Sequence, residues 1–223
     1  MRIDVVIPVY RNERFLPEAM RSILDQKVPV SIVVVDDANQ PPISSGAFAK
    51  VASIPSVAVV RRELNGGIGA ARNTGLAHCR GDAVLFLDAD DVLQPASLAR
   101  MRSVLFQGGS DAVYGLVEEF GAPINESRAA KAASEPALMP GSTLMLRSSV
   151  ERLGFFDETL EVGEFVDFMA RAQRANWKFQ PIREPVLRRR IHEKNTSWSA
   201  DPADFLRVVR RHIRNGGDQA VQG

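Results

Sequence analysis

Four short apolar runs constrain what this chain can become: Ile3 to Val9, Ser31 to Val35, Val57 to Val60 and Ala83 to Leu87. They are rich in β-branched residues and do not alternate with polar ones, the pattern of strands covered on both faces. Helical patterns separate them. Phe15, Leu16, Ala19, Met20, Ile23 and Leu24 recur at three- and four-residue spacing. After the Pro41-Pro42 break, a short helix is predicted from Ser44 to Ser53, and Gly66-Gly67 opens another that runs to about Cys79. Pro95 suits the first turn of a further helix carrying Leu98, Met101, Val104 and Leu105. Strands and helices alternating at this pace imply parallel βαβ units, hence an α/β domain around a Rossmann-like, mostly parallel central sheet.

The rhythm changes after Tyr114. Gly121 to Pro136 is rich in Ala, Ser, Glu and Gly, has no apolar period and is predicted to be a mobile loop. Ser142 to Leu146 is a strand candidate, Ser149 to Leu153 a short helix and Gly163 to Ala175 a longer one. Lys178 to Ile182 and Val186 to Ile191 are two further strand candidates around Pro181 and Pro185. Pro202 starts a basic amphipathic helix ending near Asn215, with Arg207, Arg210, Arg211 and Arg214 beside Phe205, Leu206, Val209 and Ile213. That pattern suits either packing on the domain itself or contact with an acidic membrane surface. The last eight residues are expected to be disordered.

At 223 residues the chain can bury one substantial core. A net charge of +1 gives no general electrostatic case for nucleic acid as a partner. The single cysteine, Cys79, excludes an intramolecular disulfide and suits a reducing compartment. The start is too short an apolar run for a signal peptide, and no stretch approaches the roughly 18 apolar residues of a membrane span. A cytoplasmic protein is expected, with peripheral contact at the inner face of the membrane open to it.

The strongest chemical feature is Asp88-Ala89-Asp90-Asp91, directly after the apolar Ala83 to Leu87 run. Carboxylates are too costly to leave unpaired inside a buried strand, but its C-terminal end is where ligands bind in open α/β sheets. Residues i and i+2 of an extended chain point the same way, so Asp88 and Asp90 can converge on one target. Two hard oxygen donors suit Mg²⁺ or Mn²⁺, completed by water and substrate phosphate oxygens; capping of the following helix is the alternative for one of these acids. Asp36-Asp37 ends another strand and can accept hydrogen bonds from a ribose or a nucleobase, or form a turn before Pro41.

Asn65-Gly66-Gly67-Ile68-Gly69-Ala70-Ala71-Arg72-Asn73 is a glycine-rich turn opening a helix, where backbone N–H groups can approach an anion and Arg72 adds a charged fork. It also contains half of a dinucleotide fingerprint, so an NAD(P)-dependent oxidoreductase is an alternative. Against that, it follows the third strand rather than the first, and no ribose-binding acid stands in the usual place. Glu161, Glu164 and Asp167 form a third acidic group, Glu164 and Asp167 sharing one helix face. A carboxylate there could act as a catalytic base, or simply favour the helix dipole. Finally, Arg188-Arg189-Arg190-Ile191-His192 places an imidazole beside three cations that could hold phosphate or solvate an edge strand.

In order and spacing these segments resemble the family-2 glycosyltransferases of the GT-A fold. The pieces are Val6-Ile7-Pro8-Val9-Tyr10, Val35-Asp36-Asp37, Gly69-Ala70-Ala71-Arg72-Asn73, Leu87-Asp88-Ala89-Asp90-Asp91 and Leu153-Gly154-Phe155-Phe156-Asp157-Glu158. The resemblance implies one GT-A domain over residues 1–200, with 1–115 binding the nucleotide-sugar and 116–200 the acceptor, then the basic helix at 201–215 and a tail at 216–223. It implies transfer of a single sugar from a nucleotide-sugar donor, a UDP-sugar, with inversion and with Mn²⁺ or Mg²⁺ as cofactor. The acceptor stays open among glycans, lipid-linked molecules, small molecules and peptides, as does the oligomeric state.

By position, Pro8, Tyr10, Asp37, Asn65, Gly69, Arg72, Asp88 and Ala89 would bind the donor, Tyr10 lying against the base and Asp37 bonding it. Asp88, Asp90 and His192 would hold the metal. The family's base motif is a Glu-Asp pair followed two residues later by Asp; here the segment is Gly163-Glu164-Phe165-Val166-Asp167, with Phe165 where the base is expected. Glu164 or Asp167 would then take that role, or the chain would be a catalytically degenerate sugar-nucleotide-binding module.

Overall fold

The computed structural model describes residues 1–43, 54–121 and 135–192, together with Val208 and His212. The predicted helix from Ser44 to Ser53, most of the predicted loop after Gly121, the tail, and all but these two residues of the predicted C-terminal helix lie outside the described residues.

The expected alternation is present. The chain runs β1 (Ile3–Val9), α1 (Leu16–Leu24), β2 (Val30–Asp37), β3 (Val57–Arg62), α2 (Gly67–His78), β4 (Ala83–Phe86), β5 (Val92–Leu93), α3 (Ser97–Gln107), β6 (Ala112–Gly121), β7 (Thr143–Leu146), α4 (Arg147–Leu153), α5 (Glu164–Arg174) and β8 (Phe179–Ile191). One eight-stranded sheet is ordered β3-β2-β1-β4-β7-β6-β8-β5. β1 pairs in parallel with β2 and β4, and β2 with β3, as the N-terminal rhythm predicts. The second half mixes directions. β7 is antiparallel to both β4 and β6, while β6 and β8 are parallel.

All seven residues of β1 are buried, because both faces of the sheet are covered. Ile3, Val5, Ile7 and Val9 face a core completed by Leu16, Met20 and Ile23 of α1 and Leu98 and Met101 of α3. Val6, with Val33, Val35, Val84 and Phe86, faces a second core built from Leu76, Val150, Phe156 and Phe168. α2 lies so close to the sheet that a Cβ on Gly75 would sit 2.2 Å from Val6 Cγ1 and 3.2 Å from Val35 Cγ2. Gly75→Ala is therefore expected to destabilise the domain by about 1–3 kcal/mol through overpacking, read as a lower denaturation midpoint in urea.

Three elements differ from expectation. β8 is one strand through both prolines rather than two, because β5 pairs only with Leu187 and Arg188. Pro181 and Pro185 therefore sit where β8 has β6 on one side and no ladder to supply on the other. β6 extends to Gly121 despite its acidic end, since Glu118 and Glu119 lie opposite Arg188 and Arg189. The two-residue β5 follows Asp91, and α3 begins at Ser97, so Pro95 precedes the helix instead of opening it.

Candidate active site

The buried strands end in polar loops on one side of the sheet, and those ends surround a cavity of about 450 Å³. β1 supplies Pro8, Val9 and Tyr10; the end of β2 supplies Asp37; the turn into α2 supplies Asn65, Gly67 and Ile68. Ala71 and Arg72 come from α2, Asp88 to Asp91 from the end of β4, and Glu161 to Val166 from the turn into α5.

At the end of β2 the two acids separate in role. Asp36 turns inward and accepts from Asn39 N–H and Nδ2 (both 2.8 Å), Ile43 N–H (3.0 Å) and Arg61 (2.6 Å). Burial alone would raise its carboxyl, but these donors hold it below the ordinary value. Asp36 fixes the turn. Asp37 reaches the cavity and accepts from Asn65 Nδ2 (2.9 Å) and Gly66 N–H (3.3 Å), with Arg62 Nε at 3.1 Å. Burial raises its carboxyl, which the amides and Arg62 offset only in part.

Arg72 is the centre of the site. Its side chain is 1% exposed, and its Nη2 donates to Asp88 Oδ1 at 2.8 Å while Nη1 donates to Glu164 Oε1. It thus ties the end of β4 to the start of α5, whose Glu164 lies 92 residues after Arg72. Burial opposes its charge, and the two carboxylates more than restore it, so its pKa lies above the ordinary value. Asp88 is the most open of the three acids in its loop, at 35% exposed. Asp90 and Asp91 are buried, and burial followed by the charges of their acidic neighbours raises both carboxyls, Asp91's strongly.

The end of β8 clamps this loop. Arg190 N–H donates to Asp91 Oδ1 (2.8 Å), Arg190 Nε to the Asp90 carbonyl (2.9 Å), and His192 Nε2 lies 2.8 Å from Asp90 Oδ2. Of the three arginines, Arg189 reaches the cavity wall, while Arg188 and Arg190 stack over Phe120 at 4.3 and 4.4 Å.

Most of the residues singled out from sequence converge here: Pro8, Tyr10, Asp37, Asn65, Arg72, Asp88, Ala89, Asp90 and Glu164 all line the cavity. Three do not line it. Gly69 faces the Asp157 carbonyl, where a Cβ would come within 3.3 Å, so it serves close packing of α2. His192 stands behind Asp90. Asp167, 3% exposed, points from α5 toward Arg171 Nε (2.9 Å) and His212 Nε2 (2.8 Å). Sequence reasoning did not identify Asn12, Leu138, Met139, Pro140 or Val162 as part of the wall. Their segments lack the strand-end acids that marked the rest, and the only local signal was Pro140 ahead of a buried strand.

The acid loop fits a hard divalent cation. Its buried, mutually repelling carboxyls leave negative charge that a cation would offset, and Asp88 opens that charge to the cavity. Among the described residues no three acidic, His or Cys side chains form a finished cage. An oxygen site completed by water and substrate phosphates does not require one.

A sequence profile described as "Glycosyl transferase family 2" matches residues 4–176. The chain belongs to glycosyl transferase family 2. The poly(ribitol-phosphate) beta-glucosyltransferase of Bacillus spizizenii is 31% identical to this family 2 chain over 119 residues, which are 52% of the chain and 19% of that relative. The minor teichoic acid biosynthesis protein GgaB of Bacillus subtilis is 23% identical over 217 residues, 87% of the chain and 23% of that protein. The family 2 chain thus spans about a fifth of the length of these two relatives. The crystal structure of S. aureus TarS 1-349 in complex with UDP-GlcNAc superposes with a TM-score of 0.76 at 24% identity, over 95% of this chain and 65% of that one. At that identity the likeness establishes the fold, the GT-A-like α/β domain with a mixed sheet. Family membership displaces the oxidoreductase alternative. Among the described residues no helix is long and apolar enough to cross a membrane.

Proposed function

We propose that this family 2 domain transfers one sugar from a UDP-sugar to an acceptor hydroxyl, with inversion at the anomeric carbon and with Mn²⁺ or Mg²⁺ bound at the acid loop. The observation that carries the reading is the order of groups along one cavity. β2, β1 and β4 lie side by side in the sheet, so their ends bring Asp37, then Tyr10, then Asp88 and Asp90 to the cavity wall, and Arg72 links Asp88 to Glu164 at the start of α5. That order matches a nucleobase, a diphosphate and a sugar laid end to end.

In this reading Tyr10, which lies in the wall, packs against the uracil. Asp37, steadied by Asn65 and Arg62, accepts the base N–H. Asp88 would face the ribose or the cation, Asp90 would hold that cation, and His192, 2.8 Å from the Asp90 carboxylate and outside the cavity wall, would steady Asp90. A bound divalent ion supplies neutralisation of the charge that develops on the departing diphosphate. Arg72 donates one bond from each Nη, to Glu164 and to Asp88, while its Nε has no partner among the described residues; in this reading it holds Asp88 toward the donor. The fold shared with a UDP-GlcNAc complex supports the choice of donor class.

Calorimetric titration tests this directly. UDP should bind in Mn²⁺ and lose most of its affinity in EDTA; metal-independent binding of NAD(P) in place of UDP would overturn it. Asp37→Asn should weaken UDP about tenfold, the worth of one charge-assisted hydrogen bond at this end.

A further inference from the structure

Transfer to a hydroxyl needs a group that takes its proton. Six carboxylates line the cavity: Asp37, Asp88, Asp90, Asp91, Glu161 and Glu164. Asp37 is at the nucleobase end and the next three form the acid loop, so only Glu161 and Glu164 stand on the α5 side. Phe165, between them and Asp167, offers no proton acceptor and is buried against Phe156.

Glu164 is already committed. Its side chain is 9% exposed and ion-paired with the buried Arg72, which holds Asp88 at its other end. Drawing Glu164 toward an acceptor would leave a buried guanidinium short of a partner, a costly change during turnover. Asp167 is held by Arg171 and His212 and does not line the cavity. Glu161 differs on each count. It is exposed, lies in the wall, and makes no hydrogen bond or ion pair among the described residues. Gly163, left-handed at φ 80°, makes the turn that lets Glu161 and Glu164 approach the cavity from the same side.

We infer that Glu161 is the catalytic base and that Glu164 is a positioning residue acting through Arg72. The inference rests on the transferase reading above. The acceptor O–H proton passes to the Glu161 carboxylate as the acceptor oxygen bonds to the anomeric carbon. The bond from that carbon to the β-phosphate oxygen breaks, and its electron pair leaves with UDP.

The test compares wild type, Glu161→Gln and Glu164→Gln in Mn²⁺, following UDP release from UDP-GlcNAc and UDP-glucose with water and with sodium azide as nucleophile. Glu161→Gln should keep UDP affinity within about threefold and lose about 100-fold or more of the release to water, the usual worth of a general base. Azide needs no deprotonation, so it should restore release at least tenfold in Glu161→Gln, with a glycosyl azide as product. In Glu164→Gln azide should restore nothing, because the loss there is one of geometry. Wild-type release by Glu161→Gln, or azide rescue confined to Glu164→Gln, overturns the inference while leaving the transferase reading in place. A wild-type chain that binds no UDP at all overturns both.

Discussion

Asp90→Asn is expected to abolish Mn²⁺-dependent UDP binding while raising the melting temperature of the ligand-free protein. Asp90 is buried beside Asp88 and Asp91, and burial followed by the Asp88 charge raises its carboxyl above the ordinary value, with His192 pulling it partly back. An acid whose pKa is higher folded than unfolded contributes stability below its unfolded pKa and loses it as pH rises through the folded value. At neutral pH the charged Asp90 therefore works against folding. Asparagine keeps a side-chain oxygen for His192 and removes the charge, and each kcal/mol relieved is worth about 2–4 °C in a chain of this size.

Binding should move the opposite way. One hard anionic ligand is lost, and UDP affinity in Mn²⁺ should fall about 100-fold or more, equivalent to roughly 3 kcal/mol. In wild type the same affinity should fade on acidification at a pH above the ordinary carboxylate range, as Asp90 and Asp91 take up protons. Calorimetry with and without Mn²⁺, beside a thermal melt, checks both halves. Unchanged UDP binding in Asp90→Asn would remove the cation from the acid loop.

Arg72→Met should be the most destabilising single change in the site. It leaves Glu164 nearly buried without its counter-charge and releases Asp88 from the end of β4. Breaking a buried pair from one side costs about 3–5 kcal/mol, which corresponds to a melting temperature lower by roughly 6–20 °C. The Glu164 arm carries most of this, since Asp88 is partly solvated and its pairing is screened. Arg72→Met combined with Glu164→Leu should recover much of the loss, because an apolar pair of similar volume replaces the charges without stranding either. A denaturation series on the single and double variants measures this coupling. If Arg72→Met unfolds at the wild-type midpoint, the guanidinium does not bridge β4 and α5 as described.

The difference between Glu164 and Glu161 illustrates how far local sequence reaches. Glu161 was visible as an acid ahead of a helix and Glu164 as one in its first turn, and helical spacing correctly put Glu164 and Asp167 one turn apart on α5. The same spacing made them look equivalent as bases. In the folded chain Asp167 meets Arg171, four residues on along the same helix, and the distant His212, while Glu164 meets Arg72 from α2, a partnership that leaves no mark in the surrounding residues. The prolines of β8 were similarly misleading, because a proline interrupts a strand only where both edges need hydrogen bonds.

Taken alone, the sequence determined the strands of the N-terminal half, the acids at two of their ends, the helix opened by the glycine-rich turn and the ordered set of segments that marks family 2. Those features are local: burial on both faces writes itself as an unbroken apolar run, and a carboxylate can follow such a run only where the strand leaves the core. Which acid pairs with which cation was decided by tertiary structure alone. From sequence Arg72 is a charged fork for an anion; only the fold shows it set between Asp88 and Glu164. An ion pair across 92 residues is fixed by the packing of α2 against α5 over the sheet, and its partners are chosen by geometry that no short stretch of chain contains.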